Sequence, residues 1–262
     1  MRYSDKVTII TGGTKGIGAG CVRVFVEQGG ATVVFCSRNE AEGRAFEAAV
    51  NANGPGRAMF IRADVSRVDD IRAVIDRTAE QFGRIDCLIN NAGWHPPHQS
   101  IDTFSVEDFR SLLDLNLVSY FAACKFALPH LRKVKGNIIN MSSLVASMGQ
   151  LGATTYVATK GGITAFTKAL AVDEAAHNVR VNSVSPGNIY TPLWQAAIDQ
   201  AADPAKCRAD GDAAQLLGRM GTIEEAGLLC LYLAADATFT TGVDHIISGG
   251  AELAYGRKTR RG

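Results

Sequence analysis

The chain has 262 residues, of which 47% are hydrophobic and 20% charged, with a net charge of +1. This length and composition suit one α/β domain with a sizeable core and exclude a disordered chain. The near-neutral charge provides no electrostatic basis for binding nucleic acid or an anionic membrane. Six cysteines without a C-x-x-C pair predict free thiols in a reducing compartment, for which the cytoplasm is the default.

The two ends of the chain carry no strong targeting pattern. MRYSDKVTII lacks a charged region followed by a long apolar run, so we expect no signal peptide. We also expect no apolar run of membrane-spanning length. The basic tail is interpreted as a solvated end; its residues are Arg257, Lys258, Arg260 and Arg261.

The first predicted element is a buried strand, 6–11, that runs into the glycine-rich turn TGGTKGIG at 11–18 and then into a helix. Glycines in this context allow a tight turn and the close approach of a pyrophosphate at the helix N-terminus. The alternative is an ordinary strand-to-helix turn. The candidate cofactor residues here are Gly12, Lys15, Gly16, Ile17 and Gly18.

The second predicted strand, 31–36, ends in Ser37 and Arg38. An acidic residue at this position would bind the ribose hydroxyls of NAD, whereas an arginine can pair with the 2′-phosphate of NADP. Arg38, with Lys15 as a second cation, therefore favours NADP. The alternative is a solvated Arg38 and a permissive site.

Two further strands are predicted at 58–62 and 85–89. Asp64 and Val65 follow the first of them, and Asp64 could either accept the adenine amino group or cap the next helix. The second opens into NNAG at 90–93, whose small residues and amides would let backbone pack beside a cofactor ring.

The alternation of strands and helices predicts a single α/β domain, 1–262, with a doubly wound parallel sheet and helices on both faces. Later strands predicted at 136–141, 179–184 and 243–247 bring the sheet to about seven strands. Ligands of such a sheet bind at the carboxyl ends of the strands, where these motifs fall.

The segment after the fourth strand carries candidates for a substrate pocket. His95 and His98 lie in a proline-broken loop without a third ligand, which argues against a metal site and favours a pocket wall. Asn116 interrupts an apolar helix predicted at 106–131. It either holds a bulge and a water or is a satisfied core amide.

The stretch YVATK at 156–160 places Tyr156 and Lys160 on one face of a helix. A nearby ammonium favours the phenolate, so we expect Lys160 to lower the pKa of Tyr156. Such a phenol can exchange a proton with an alcohol or carbonyl oxygen. Ser143 lies thirteen residues earlier, at the end of the fifth strand.

The region 190–217 is interpreted as a flap over the site. It is predicted to be helical in parts, with breaks at Asp203-Pro204 and at Gly211. Thr222 and Glu225 then match a capping box at the start of a later helix.

Together these motifs resemble the short-chain dehydrogenase/reductase family along almost the whole chain; they are TGGTKGIG, NNAG, Asn116, Ser143, YVATK and PGNIYT at 186–191. The resemblance implies a Rossmann-like fold, usually a tetramer, and NAD(P)-dependent hydride transfer. It also implies the catalytic set Asn116, Ser143, Tyr156 and Lys160.

The family resemblance also assigns roles along the cofactor. Lys160 would hold the nicotinamide ribose, Asn116 would position a relay water, and Thr191 with Ile189 would fix the carboxamide. The remaining cofactor candidates are Ser37, Arg38, Asp64, Val65, Asn91, Ala92, Gly93, Tyr156, Pro186, Gly187, Ile189 and Thr191.

The candidate substrate contacts are His95, Gln150, Tyr190 and Trp194. The polar pair His95 and Gln150 suits a sugar, and the apolar flap suits a flat ligand such as a steroid alcohol, so both substrates remain open. A catalytically silent, cofactor-sensing protein of the same fold is the alternative to an enzyme. Whether Tyr255 reaches a neighbouring subunit is also open.

Overall fold

The computed structural model describes residues 1–253 and contains one sheet of seven parallel strands in the order β3-β2-β1-β4-β5-β6-β7. The predicted doubly wound sheet is confirmed, and strand boundaries differ from the predicted ones by one or two residues. The strands are β1 Val7–Thr11, β2 Thr32–Ser37, β3 Arg57–Arg62, β4 Cys87–Asn90, β5 Asn137–Met141, β6 Arg180–Pro186 and β7 Asp244–Ile247.

Ten α-helices are found in the described residues, and they lie on both faces of the sheet. They are α1 Gly16–Val24, α2 Glu40–Asn51, α3 Val68–Phe82, α4 Val106–Leu113, α5 Ser119–Val134, α6 Val145–Met148, α7 Thr154–Glu174, α8 Pro192–Asp199, α9 Pro204–Ala213 and α10 Ile223–Ala235.

Alternate side chains of the strands supply two cores, because successive residues of a strand point to opposite faces. Ile10 of β1 packs in the cluster that contains residues of α1 and α10. Its neighbour Ile9 packs in the cluster that contains residues of α3 and α5. The central strands are buried on both faces, as the continuous apolar runs predict.

The strand order reverses between β1 and β4, which lie side by side although β2 and β3 separate them in sequence. Crevices at such a switch point, at the carboxyl ends of the strands, are the ligand sites of open α/β sheets. The glycine turn after β1 and NNAG after β4 meet there.

The long helical segment predicted at 106–131 consists of α4, a π-helical turn at Asp114–Val118 and α5. The helix thus bulges at Asn116, and the Asn116 amide is also satisfied by protein groups, so each of the two alternatives for this residue is met in part. By length and composition Val106–Val134 could cross a membrane, and half of its most apolar window is buried in the protein. This corrects the expectation that no apolar run reaches such a length, although core helices packed on a sheet meet the same criterion.

The segment after β6 differs from prediction at one glycine. Asp203 caps α9 and Pro204 begins it, so the predicted break there is confirmed. The predicted break at Gly211 is wrong, because Gly211 lies inside α9. Glycine is needed there for packing, since a Cβ would come within 2.2 Å of Met220 Cε. The capping box of Thr222 and Glu225 is confirmed. The basic tail and Tyr255 lie outside the described residues.

Candidate active site

The glycine turn between β1 and α1 forms a cradle of backbone that side chains would fill. Gly12 and Gly16 have φ of 66° and 56°. A Cβ on Gly18 would lie 2.2 Å from the Gly12 carbonyl oxygen, and one on Gly12 would lie 2.9 Å from Ala92 Cα. Helix α1 starts at Gly16 with no side-chain cap and no acid in its first turn. Its free N–H groups are thus suited to a phosphate.

Two predicted cofactor residues contact the glycine turn from the interior of the fold. The Asn91 amide donates to the carbonyl oxygens of Thr11 and Gly12 at 3.0 and 3.1 Å. Ile17 is partly buried and packs against the core under the turn. Both side chains therefore stabilise the turn. The sequence alone did not distinguish this role from direct contact with a cofactor.

The adenosine end of the crevice, beyond β2, is lined by charged and hydroxyl groups. The Thr14 hydroxyl donates to Ser37 Oγ at 2.7 Å, and Arg38 is exposed beside it. Lys15 Nζ forms an ion pair of 2.8 Å with Glu42 of α2. Glu42 was missed in the sequence because an acid in the first turn of a helix is ordinary helix-start chemistry.

Asp64 follows β3 and closes a local turn. Its carboxylate accepts hydrogen bonds from the Ser66 N–H and hydroxyl at 3.0 and 2.8 Å. Although desolvation opposes it, these bonds and the nearby Arg38 charge lower the pKa of Asp64. The cap residue of α3 is Arg67, so the proposed capping by Asp64 is wrong.

The nicotinamide end lies between the loops that follow β4, β5 and β6. A Cβ on Gly93 would lie 3.2 Å from Asn116 Oδ1 and 3.6 Å from Lys160 Nζ, so Gly93 faces both groups. The Thr191 side chain would lie 3.6 Å from a Cβ on Gly16, close to the glycine turn.

The loop 186–191 is held in place by its backbone. Gly187 N–H donates to the Ile247 carbonyl at 2.9 Å, and Tyr190 N–H donates to the Gly221 carbonyl at 2.8 Å. Ile189 pairs with Gly221 in a parallel bridge. The predicted carboxamide residues Ile189 and Thr191 therefore sit on a fixed backbone between β6 and α8.

Asn116 is fully buried at the π-helical turn, and its amide is satisfied on both sides. Its Oδ1 accepts from the Trp94 N–H at 2.8 Å, and its Nδ2 donates to the Trp94 carbonyl at 2.9 Å. Nδ2 also donates to Thr159 Oγ1 at 3.1 Å. Asn116 thus joins the loop after β4 to α7, one residue from Lys160.

The side chains of Ser143, Tyr156 and Lys160 meet where β5 ends beside α7. Ser143 lies close enough to the Tyr156 phenol to lower the pKa of that phenol, against the effect of burial. Lys160 Nζ donates to the Met141 carbonyl at 2.8 Å and lies 5.7 Å from the centroid of the Tyr156 ring. The phenol oxygen therefore has a hydroxyl neighbour, with a buried amine beside its ring.

The expected lowering of the Tyr156 pKa is not found. Burial raises the pKa of Tyr156 to about 12, against the lowering effect of Ser143. Burial also lowers the pKa of Lys160 to about 7, which weakens the cation expected to stabilise the phenolate. The sequence expectation was wrong because it weighed the attraction of the pair without the cost of desolvating both charges.

The predicted substrate residues His95 and Gln150 meet beside the phenol. The rings of His95 and Tyr156 have centroids 4.1 Å apart. His95 Nε2 lies 3.0 Å from Gln150 Oε1, and His95 Nδ1 lies 2.6 Å from the Pro96 carbonyl oxygen. These groups form a polar wall beside the Tyr156 ring.

Tyr190 and Trp194 have a different environment. The Tyr190 hydroxyl donates to Gln195, and the Arg208 guanidinium lies 4.4 Å from the centroid of its ring. Trp194 packs near Gly211 and lines an open cavity of about 540 Å³ between α8 and α9. Both side chains therefore pack towards α9, and within residues 1–253 neither ring pairs with Tyr156.

The chain was compared with known proteins. A family model described as Enoyl-(Acyl carrier protein) reductase matches residues 12–252. L-fucose dehydrogenase of Bos taurus is 52% identical over 257 residues, which cover 98% of this chain and 93% of that protein. L-fucose dehydrogenase of Mus musculus is 50% identical over 260 residues, covering 99% and 93%.

A solved structure shares the same architecture. L-sorbose reductase from Gluconobacter frateurii, complexed with NADPH and L-sorbose, superposes with a TM-score of 0.90 at 25% identity, covering 95% of this chain and 97% of that one.

Proposed function

This chain belongs to the short-chain dehydrogenase/reductase family, and from that membership we propose that it oxidises a sugar, with L-fucose as the leading candidate. NAD(P)-dependent oxidoreductase activity on alcohols is the activity that the family and the relatives share. Two relatives about half identical to this chain bear the name L-fucose dehydrogenase. None of these findings supports the catalytically silent alternative.

The contact of His95 and Gln150 with the Tyr156 site is the observation that carries the choice of a sugar. A polyol needs several hydrogen-bonding partners around its reacting carbon, because each hydroxyl taken out of water otherwise loses its bonds. An imidazole and an amide lie within 3.0 Å of each other beside the phenol. Both can exchange their mutual bond for bonds to sugar hydroxyls.

In the proposed mechanism, Tyr156 handles the proton. During reduction the neutral phenol, which its raised pKa of about 12 favours, gives the proton to the substrate oxygen. During oxidation the phenolate takes the proton of the substrate hydroxyl, and a protonated Lys160 would stabilise that phenolate. Ser143, whose side chain lowers the pKa of the same phenol, would hold the substrate oxygen and stabilise the charge that develops on it. Loss of a hydride from the carbinol carbon and a proton from its hydroxyl turns an alcohol into a ketone, or a hemiacetal into a lactone.

Lys160 would act from the buried side of Tyr156. A protonated ammonium favours the phenolate, whereas burial favours the neutral amine. The pKa of Lys160 near 7 keeps both states accessible at neutral pH. Asn116, bonded to Thr159, would fix the first turns of α7 and thereby the distance between Tyr156 and the loop after β4.

The glycine turn fits a dinucleotide because its backbone is packed too closely for side chains and α1 starts there without a side-chain cap or an acid. We propose that the turn with α1 holds the pyrophosphate, that Asp64 and Val65 meet the adenine, and that Ile189, Thr191 and Lys160 hold the nicotinamide half. When bound, the nicotinamide supplies the hydride acceptor or donor.

The choice between NAD and NADP has arguments on both sides. Ser37, Arg38 and Lys15 favour NADP. The chain also resembles 17β-hydroxysteroid dehydrogenase type 14, also described as an L-fucose dehydrogenase, in SPGNIYTPLW at 185–194 and in the His95 loop. That relative uses NAD and has an aspartate at the position of Ser37. We propose that this chain accepts both coenzymes.

A steroid alcohol is the second candidate substrate. Leu193, Leu216 and Leu217 in the region 190–217 are exposed apolar side chains that could cover a flat ligand. In this reading the region 190–217 is the specificity element, and steroid metabolism would be the context.

The assembly and the compartment are also proposals. We propose a cytoplasmic homotetramer whose ligands are small molecules, with no nucleic acid or membrane partner. Six free cysteines support a reducing compartment. Exposed apolar side chains on α5 and α7, among them Phe121 and Val172, support burial against other copies.

Reduced-nicotinamide absorbance with purified protein tests the substrate. L-fucose and estradiol would each be offered with NAD and with NADP. We expect faster turnover of the sugar, measured as kcat/KM. Turnover of the steroid alone would transfer the proposal to the second candidate, and no turnover in any pairing would refute both substrates.

A further inference from the structure

The ion pair between Lys15 and Glu42 lies where the crevice would receive the adenosine ribose. We propose that Glu42 determines coenzyme selectivity by holding Lys15 away from a 2′-phosphate, which limits the preference for NADP that Arg38 creates. This inference rests on the proposed dinucleotide binding and goes beyond it, because it assigns a role to a residue outside the binding motifs.

The two partners are placed by neighbouring elements. Lys15 directly precedes α1, and Glu42 lies in the first turn of α2, which follows β2. The Asn39 side chain accepts from the Glu42 N–H at 3.2 Å and fixes the backbone there. Lys15 Nζ then reaches Glu42 Oε2 at 2.8 Å. The pair thus bridges the glycine turn and the end of β2, on which the adenosine would lie.

The other charged groups of α2 near this position pair with one another, and Arg38 is a cation. Glu40 pairs with Arg44 at 2.9 Å, and Arg44 also pairs with Glu47 at 3.0 Å. Among residues 1–253, Arg38 has no carboxylate partner within 4.0 Å, although its charge helps to lower the pKa of Asp64. Glu42 is therefore the acid whose charge acts on Lys15.

The Ser37 hydroxyl does not replace the carboxylate that would select NAD. It accepts the Thr14 hydroxyl at 2.7 Å, which ties it to the glycine turn. Selectivity at this position therefore depends on two cations, Arg38 and Lys15, and on the acid near each of them, Asp64 and Glu42.

A 2′-phosphate carries about two negative charges near neutral pH. To use Lys15 it must compete with the Glu42 carboxylate, and it also meets that carboxylate's repulsion. An exposed ion pair is weak and is screened by salt. Lys15 and Glu42 keep 63% and 43% of their side-chain surfaces exposed, so a phosphate can break the pair, at reduced affinity.

Fluorescence titration with NADH and with NADPH tests the inference without any alcohol substrate. The readout is the ratio of the Kd for NADH to the Kd for NADPH. We expect Glu42→Gln to raise this ratio about three- to tenfold, from the loss of one charge near the phosphate. Glu40→Gln is the matched control, because it removes the same charge from the same helical turn but leaves Lys15 paired. We expect it to change the ratio less than about twofold.

A double variant separates the action on Lys15 from general repulsion. In a Lys15→Gln background, Glu42→Gln should lose most of its effect on the ratio. An unchanged ratio in Glu42→Gln would overturn the inference. An equal gain in Glu40→Gln, or in the Lys15→Gln background, would do the same by showing that only general repulsion acts. Binding of neither dinucleotide by the unsubstituted protein would refute the proposed function itself, and the inference with it.

Discussion

The imidazole of His95 lies over the phenol ring of Tyr156, with ring centroids 4.1 Å apart and planes inclined by 42°. Its two nitrogens face the Pro96 carbonyl oxygen and the Gln150 amide. A carbonyl only accepts, so Nδ1 carries a proton. In a neutral imidazole, Nε2 then accepts from the amide of Gln150; in an imidazolium it donates to Oε1. The loop after β4 and the segment before α7 thus meet beside the Tyr156 ring.

Replacing His95 should act mainly on substrate binding. We expect His95→Phe to raise the KM for L-fucose about tenfold, because the ring stacking remains while one polar partner is lost. Gln150→Leu should raise KM by a similar factor. The measurement is a steady-state comparison of both variants, and a change in kcat alone would show that this pair acts on the chemical step instead.

Tyr156→Phe should remove turnover and leave coenzyme binding nearly intact. Loss of the proton-transferring group costs about 10²- to 10⁴-fold in rate. Absorbance assays would measure kcat, and fluorescence titration would measure the Kd for the reduced coenzyme. An equal loss of both, with a lower midpoint of thermal unfolding, would indicate misfolding and contradict the proposed role.

The buried Lys160 should make stability depend on pH. Its pKa falls from 10.5 in the reference state to about 7 in the fold, so between these pH values the unfolded chain binds more protons. The free energy of unfolding therefore rises with pH across that window. Denaturant unfolding between pH 6.5 and 9.5 should show a smaller rise in Lys160→Met than in the unsubstituted protein.

The same experiment can contradict this account of Lys160. Parallel stability curves for the two proteins would mean that the ammonium stays charged in the fold. The phenol of Tyr156, with a pKa raised from 10.0 to about 12, lowers stability only as pH rises above about 10. Ionisation of Tyr156 therefore does not affect the measurement in its pH range.

Two glycine-to-alanine substitutions distinguish the steric requirement of the glycine turn from the general effect of alanine on helix stability. A Cβ on Gly18 would lie 2.2 Å from the Gly12 carbonyl oxygen, so Gly18→Ala should weaken coenzyme binding at least tenfold and lower stability by about 1–3 kcal/mol. Gly161 in α7 has nothing within 4 Å of its Cβ position. Gly161→Ala should stabilise the protein by about 0.5–1 kcal/mol. Calorimetry and titration of both variants give the comparison, and equal behaviour would refute the cradle.

The sequence by itself determined the sheet, the glycine turn and the segments that carry the reactive groups. These follow from local patterns, since a buried parallel strand needs a continuous apolar run and a turn with positive φ needs glycine. The bulge at Asn116 was predictable for the same reason, as a polar residue in an apolar helix must find partners.

Only the tertiary structure decided which groups are in contact and how far burial shifts their pKa values. His95 and Gln150 are 55 residues apart in sequence, and Lys15 and Glu42 meet only because α2 starts beside the glycine turn. Trp194 and Tyr190 pack towards α9 rather than the phenol ring. The pKa of Tyr156 moved opposite to expectation, and burial also lowered the pKa of Lys160. Desolvation depends on the packing of surrounding segments, which no local pattern encodes.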